Sequence, residues 1–259
     1  MCGGRGAVDR DRTRRDPRNL IRGDARLSGV DVVAREPREA DDTSTMFRNR
    51  TDAGSRLASL LREKGIEADV VLAIPRGGLP VGRAVADTLG VPLDVVAARK
   101  IGAPSNPELA IGAVASDGTV WLNDSIIDSL DVGDEYVERK RAEEAEAAAD
   151  KLERYRRDRP PLDLEGKSVL VVDDGVATGA TTTACLRQVR DAGAERTILA
   201  VPVAPPDTVR KLEDEADEVV CVETPQYFGA VGAFYDDFRQ VSDAEAMSYL
   251  SDDETGASA

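Results

Sequence analysis

Short apolar runs alternate with longer amphipathic segments from Met46 onward. Residues 52–64 place apolar side chains at helical spacing, with Asp52 as a candidate N-cap. By contrast, V-V-L-A-I-P at 70–75 is a short β-branched run that favours a strand. The same two patterns predict strands at 93–98, 169–173, 197–203 and 218–222, and helices from R-G-G to about Leu89 and at 134–157, 181–192 and 206–215.

The order of these elements predicts the fold class. Alternating short apolar strands and amphipathic helices are typical of an α/β fold, in which a mainly parallel sheet has helices on both faces. A hairpin is expected at 112–122, where Asp117 and Gly118 form a strong turn dipeptide. The long helix 134–157 ends before Pro160, and its many charges are typical of a solvated face.

The two ends of the chain differ from this core in composition. Residues 1–45 hold ten Arg and nine Asp or Glu but few large apolar residues, which predicts disorder. They fit either a basic–acidic arm or an upstream extension from a misassigned start codon. The globular domain is expected over residues 46–250, and a disordered tail is expected over 251–259.

Charge and rare residue types narrow the range of functions. The 259 residues carry a formal net charge of −15 and only six lysines, so nucleic acid is not expected as a partner. Such a surface favours adaptation to concentrated salt over an ordinary acidic cytosolic protein. Histidine is absent, which excludes Ser-His-Asp and Cys-His catalysis and His-ligated zinc.

Cysteine usage and hydropathy bear on the compartment. The three cysteines show no C-x-x-C spacing, which fits a reduced, cytoplasmic compartment. No apolar run is long enough to cross a membrane and no signal-peptide core is present, so no membrane partner is expected.

The segment after Val172 holds the clearest candidate chemistry. Asp173 and Asp174 end an apolar strand, and a loop of Gly, Ala and Thr follows them. Small residues before a helix let backbone N–H groups and threonine hydroxyls converge on a phosphate. It is not a Walker A loop, because Gly175 to Gly179 is one residue too short and Ala180 stands in place of the lysine.

Two carboxylates beside a phosphate are useful when they face sugar hydroxyls or a divalent cation, and a ribose 5-phosphate combines these groups. Asp-Asp-Gly alone would fit an ordinary strand-end turn equally well. The complete string through Thr182 favours the phosphate site.

That string, V-L-V-V-D-D-G-V-A-T-G-A-T-T, closely resembles the phosphoribosyl pyrophosphate (PRPP) signature of type I phosphoribosyltransferases. The resemblance extends over roughly 46–240, and the closest likeness is to a subgroup without an agreed substrate. It implies that Asp173 and Asp174 bind the ribose hydroxyls, and Mg²⁺ through Mg-PRPP. It further implies that the 5-phosphate is held by Ala177, Thr178, Gly179, Ala180 and Thr181.

Two more segments resemble parts of that family. A-I-P-R-G-G-L-P-V-G at 73–82 is similar to the pyrophosphate loop, whose unusual backbone aims amides at the leaving group, although R-G-G alone would fit a plain turn equally well. Residues 99–112 resemble the flexible loop that closes over PRPP, and their prolines favour a loop over a helix. The implied pyrophosphate ligands are Arg76, Gly77, Gly78, Arg99 and Lys100.

The acceptor side of the site is less closely defined. Ala177 stands where hypoxanthine–guanine enzymes have an aspartate, so the likeness is to adenine-type enzymes, in which a flexible-loop glutamate handles the proton. Glu108 is the candidate for that role, although it fits a surface residue equally well. Residues 225–240 would form the hood over the acceptor, and Tyr227 or Phe228 would stack on a base or pack the hood itself.

The implied activity is transfer of ribose 5-phosphate from PRPP to a nitrogenous base, with release of pyrophosphate and dependence on Mg²⁺, as in nucleotide salvage. A homodimer is common in the family. The alternatives are a regulator that binds PRPP or a nucleotide without turnover, and a nucleotide hydrolase or sugar-phosphate enzyme on a similar sheet.

Overall fold

The computed structural model describes residues 46–157 and 159–251. The disorder predicted for 1–45 and 252–259 falls outside these ranges, whereas Ser251 of the predicted tail is the last residue of a helix. The helices are α1 (Arg50–Glu63), α2 (Gly78–Leu89), α3 (Asp124–Ser129), α4 (Asp134–Arg156), α5 (Ala180–Asp191), α6 (Pro206–Leu212) and α7 (Asp243–Ser251). The strands are β1 (Val70–Ala73), β2 (Leu93–Val95), β3 (Ala98–Ala103), β4 (Asn106–Ala115), β5 (Val120–Leu122), β6 (Ser168–Val172), β7 (Arg196–Val203) and β8 (Glu218–Glu223).

The central sheet has five strands in the order β2-β1-β6-β7-β8, and every pair is parallel. Successive strand residues point to opposite faces. On one face Val71 packs with residues of α1, α2 and α7, and on the other Leu72 packs with residues of α5 and α6. The predicted α/β class, with helices on both faces of a mainly parallel sheet, is therefore confirmed.

A second sheet contains β3, β4 and β5 in antiparallel order. The hairpin expected at 112–122 is confirmed, since Gly112 pairs with Leu122. The loop predicted at 99–112 is wrong as a description of secondary structure, because most of it forms the β3–β4 hairpin. Its strands bury Ile101 and Ile111 against the start of α4, and that burial outweighs the turn-forming residues between them.

The first helix shows a smaller correction. Asn49, not Asp52, is the N-cap of α1, because the Asn49 side chain accepts a hydrogen bond from the Asp52 backbone N–H at 2.9 Å. Asp52 lies inside the first turn and pairs with Arg48 and Arg56 instead. A carboxylate in the first turn is favourable there because it faces the positive end of the helix dipole.

The region predicted to form the hood, residues 225–240, packs against a distant part of the chain. Phe47 forms a bridge with Tyr235, and their ring centroids lie 5.3 Å apart. A 3₁₀ helix (Val231–Phe234) precedes Tyr235, whose ring also packs on Phe238 at 5.0 Å. The small C-terminal region predicted at 225–240 is thus completed by the start of the described chain.

The strand order creates a switch point. The chain runs outward from β1 to β2 on one side, and from β6 through β7 to β8 on the other. In open α/β sheets, ligands bind at the carboxyl ends of the strands where the order reverses. Here that crevice lies between the ends of β1 and β6. No helix in the described part of the chain is long and apolar enough to cross a membrane.

Candidate active site

The switch point brings two predicted segments together. The turn at 74–77 follows β1, and Asp173 and Asp174 follow β6. The Ile74 N–H donates to the Val172 carbonyl at 2.9 Å, which ties the two strand ends to each other. The peptide bond between Pro75 and Arg76 is cis.

Gly77 allows the closest approach between these segments. A Cβ atom on Gly77 would lie 2.0 Å from Oδ2 of Asp174, a separation that real Cβ atoms essentially never show. The turn therefore contacts the carboxylate directly, with no side chain between them. A ligand in the crevice would meet the backbone of the turn and the carboxylates of the pair at once.

Burial disfavours the charged form of both carboxylates. Burial raises the pKa of Asp173 well above its ordinary value, and the neighbouring charge of Asp174 raises it further. Burial also raises the pKa of Asp174, although Arg50 opposes that shift. Because both side chains lie in a partly buried crevice, hydroxyl donors or a cation would relieve the unfavourable interaction.

Arg50 holds Asp174 in place. Its Nε donates to Oδ2 of Asp174 at 2.7 Å, and its Nη1 donates to the Arg239 carbonyl at 2.8 Å. The guanidinium carbon lies 3.8 Å from the ring centroid of Phe238, so the side chain is clamped between the aspartate and the hood. The Tyr235 hydroxyl also donates to the Asp174 carbonyl at 2.5 Å.

The loop before α5 is exposed and ends at a left-handed glycine. Gly179 caps α5 with φ +83°, a conformation that favours glycine, and Ala177 and Thr178 are exposed. The Thr208 hydroxyl donates to the Ala177 carbonyl at 2.6 Å and fixes the loop from α6. The N–H groups of the first turn of a helix have no partner within the helix, and the dipole favours an anion there.

A cationic cavity adjoins the turn that follows β1. Arg76, Arg99 and Lys151 line one cavity of about 380 Å³, together with Arg154, Tyr155, Asp150, Asp243 and Ala147. The Lys151 ammonium donates to the Pro75 carbonyl at 2.8 Å. Lys100 lies instead in an adjoining cavity that also includes Arg99 and Lys151. The structure thus brings Arg76 and Arg99 together with a lysine that the sequence analysis did not select.

The residues that were predicted to contact the acceptor do not point into the crevice as a group. The Tyr227 side chain is 95% exposed, and Phe228 packs on Phe234 with centroids 5.1 Å apart. Phe228 therefore has the packing role that was the alternative to base stacking. The Glu108 side chain is 92% exposed and pairs with the Lys100 ammonium at 3.1 Å.

Comparison with known proteins agrees with this arrangement. Residues 45–239 match the family model described as the phosphoribosyl transferase domain. The chain belongs to the phosphoribosyl transferase domain family. Two Mycobacterium tuberculosis proteins, MT0597 from strain CDC 1551 and Rv0571c from strain H37Rv, are each provisionally named phosphoribosyl transferases. Each is 45% identical to this chain over 208 residues, which cover 79% of this chain and 46% of the relative.

The chain thus spans about half the length of these curated relatives. Among solved structures, TT1426 from Thermus thermophilus is 46% identical, with a TM-score of 0.68. That match covers 79% of this chain and 97% of TT1426, so the phosphoribosyl transferase fold is shared along nearly the whole of that protein.

The phosphoribosyl transferase domain offers few ligands of its own to a metal. Within residues 46–157 and 159–251, no group of three or more Cys, Asp or Glu could surround an ion. Mg²⁺, however, is commonly bound through one or two carboxylates together with substrate phosphates. Asp173 and Asp174 fit that mode, because they supply hard oxygen donors whose charges repel each other at the crevice.

Three residues of the domain were missed by sequence reasoning. Arg50 lies 124 positions from Asp174, and Thr208 lies 31 positions from Ala177. Lys151 belongs to α4, whose charges were expected to face solvent. The scarcity of lysine was the one available signal for Lys151, and no local motif marks the other two.

Proposed function

We propose that this chain transfers the ribose 5-phosphate of PRPP to a nitrogenous base and releases pyrophosphate. The observation that carries the proposal is the meeting of the β1 turn with Asp173 and Asp174 at the switch point. A helix N-terminus suited to a phosphate follows the end of β6, and a cationic cavity adjoins the turn that follows β1. PRPP likewise combines a ribose with phosphate groups at two separate positions, so it has a group for each of these parts.

Each part of the crevice has a role in this proposal. Asp173 and Asp174 accept hydrogen bonds from the ribose hydroxyls, and residues 177–181 bind the 5-phosphate through backbone N–H groups and threonine hydroxyls. The turn at Arg76, Gly77 and Gly78, with Arg99 and Lys100, binds the diphosphate. Ligands fixed at both ends leave C1 of the ribose at a defined position between them.

The reaction proceeds by displacement at C1. A bond forms between C1 and the acceptor nitrogen, the bond from C1 to the diphosphate oxygen breaks, and the electron pair leaves with the diphosphate. The sugar becomes positively charged as the bonds change, and the carboxylates of Asp173 and Asp174 stabilise that charge. Glu108 remains the predicted acceptor for the proton that the nitrogen loses.

Asp173 and Asp174, together with the diphosphate, would hold Mg²⁺. When bound, the ion neutralises charge on the departing diphosphate. The acceptor is proposed to be a nucleobase or a similar nitrogen compound, which would place the reaction in nucleotide salvage.

Thr208 gives a prediction for the 5-phosphate end. Because its hydroxyl fixes the Ala177 carbonyl, Thr208→Val should weaken binding of ribose 5-phosphate by roughly 3- to 10-fold. Thr88→Val is the matched control, since it removes a similar bond from a hydroxyl to the Ala84 carbonyl on α2. Calorimetric titration with ribose 5-phosphate distinguishes them, and equal affinity in both variants would contradict a role for Thr208.

The proposed function is tested first by thermal unfolding with and without Mg²⁺ and PRPP. At about 100 times the dissociation constant, PRPP adds about 2.7 kcal/mol, or roughly 5–10 °C for a domain of this size. The increase should disappear in the Asp173→Asn/Asp174→Asn double variant. No increase in a folded wild-type protein at saturating PRPP would contradict the proposal.

A panel of bases, scored by pyrophosphate release, then identifies the acceptor. Release that requires one base and PRPP together supports the transferase. Stabilisation by PRPP without release with any base would instead indicate a regulator that binds PRPP without turnover.

A further inference from the structure

Lys151 occupies an unusual position for a charged residue of a surface helix. It lies on α4, which packs along β3 and β4, and its ammonium reaches the Pro75 carbonyl at 2.8 Å. Pro75 belongs to the turn that follows β1. The lysine therefore connects α4 to the turn assigned to the diphosphate.

No carboxylate within the described residues forms an ion pair with Lys151, although the more distant charges of Asp173 and Asp243 partly offset its own. No carboxylate there lies within 4 Å of its ammonium, whereas Arg76 pairs with Asp243 at 3.4 Å and Arg99 pairs with Glu144 at 2.6 Å. Burial lowers the pKa of Lys151, and the positive charges of Arg76 and Arg99 lower it further. A partly buried ammonium beside two guanidinium groups is costly unless an anion joins them.

The surrounding cavity has a charge opposite to that of the whole protein. Four cations and two carboxylates line it, in a chain with a formal net charge of −15 and only six lysines. Three of those lysines, Lys100, Lys140 and Lys151, line this cavity or the adjoining one. A concentration of cations on an acidic protein favours a ligand with several negative charges.

We propose that Lys151 is a binding residue for the leaving diphosphate. The inference rests on the proposed function for the identity of the ligand. A diphosphate presents oxygens in several directions, so it can contact Lys151, Arg76 and Arg99 from one position in the cavity. The Pro75 carbonyl holds the ammonium in place beforehand, and α4 thereby contributes to the active site.

The test uses inorganic pyrophosphate with Mg²⁺ as the probe, titrated calorimetrically into the full chain. Lys151→Met removes the charge but keeps a similar apolar stem, and should weaken pyrophosphate binding by roughly 10- to 100-fold. Lys151→Arg should recover most of the affinity because it restores the charge. Ribose 5-phosphate should bind equally to wild type and both variants, because its phosphate is assigned to the loop before α5 and not to the cationic cavity.

Lys140→Met is the matched control. Lys140 lies on the same helix and lines the adjoining cavity, but its ammonium pairs with Glu143 at 2.7 Å. Its loss should change pyrophosphate affinity less than about twofold. The inference is overturned if Lys151→Met binds pyrophosphate as wild type does, if Lys140→Met weakens binding as much, or if ribose 5-phosphate affinity falls equally.

The two proposals can fail separately. A wild-type protein that is stabilised by PRPP but shows no difference between Lys151→Met and wild type keeps the proposed function and overturns the role of Lys151. A protein that binds pyrophosphate through Lys151 but neither binds nor turns over PRPP supports the anion site and overturns the transferase.

Discussion

Replacing Asp173 by asparagine is expected to raise the melting temperature of the ligand-free protein at neutral pH while abolishing its stabilisation by PRPP. Asparagine keeps the side-chain oxygen that accepts from the Asp174 N–H at 2.8 Å. It removes the charge that burial and Asp174 make unfavourable. The gain should be on the order of 1–2 kcal/mol, or roughly 2–8 °C.

The pH dependence follows from the direction of the pKa shift. Because the folded protein raises the pKa of Asp173, it binds the proton more tightly than the unfolded chain does. Stability from this residue is therefore present at low pH, and is lost as pH rises from the ordinary value of 3.8 through the raised value. Asp173→Asn cannot ionise at this position and should not lose this stability. The difference in melting temperature between the variant and wild type should therefore become smaller as pH falls.

The activity of Asp173→Asn should fall, although its melting temperature rises. Without the carboxylate, the ribose hydroxyls lose an acceptor and the developing positive charge loses a stabilising group. The rate of pyrophosphate release should fall by roughly 100- to 1,000-fold. Asp128→Asn on the surface of α3 is the control and should change neither quantity. A lower melting temperature in Asp173→Asn, or an unchanged response to PRPP, would contradict this account.

Local patterns in the sequence were sufficient to predict the parallel sheet. The runs at 70–75 and 169–173 are apolar throughout most of their length, and the structure buries both β1 and β6 on both faces. The segment 99–112 was predicted wrongly because its prolines and asparagine indicate a loop when only neighbours are considered. Its pairing depends on Ile101 and Ile111 reaching a core that α4 completes from elsewhere in the chain.

The residues of the candidate site likewise include some that local motifs predict and others that they do not. The positions of the β1 turn and of Asp173 follow from motifs that are continuous in sequence. Arg50 and Lys151 could not be predicted, because each reaches the site from an element whose own pattern gives no sign of it. On α4, Val137 and Tyr155 are buried among charged neighbours, so a helix with a buried side was interpreted as a solvated one.

Gly77→Ala, in the turn that follows β1, is expected to abolish most of the stabilisation by PRPP. The new methyl group would lie 2.0 Å from Oδ2 of Asp174, so either the carboxylate or the turn must move. Asp174 has little freedom to move because Arg50, itself only 11% exposed, holds it at 2.7 Å. Displacement of about 1 Å in a positioning group can reduce a rate by roughly 100-fold, and overpacking costs about 1–3 kcal/mol of stability.

Gly133→Ala is the matched control for this substitution. Gly133 and Gly77 both precede a helix as N-cap residues with negative φ, −69° and −63°, so backbone strain enters neither case. A Cβ on Gly133 meets nothing within 4 Å, and that variant reports the cost of alanine at an N-cap alone, up to about 1 kcal/mol.

The measurement compares the melting temperature and the PRPP-dependent shift of the two variants. Gly77→Ala should lose most of the shift, whereas Gly133→Ala should keep all of it. If Gly77→Ala retained the wild-type response to PRPP, the turn after β1 would not have to approach Asp174 closely for the ligand to bind. Contact between the two strand ends would then be a feature of packing, and the diphosphate would have to be recognised by the side chains of the cationic cavity without the backbone of the turn.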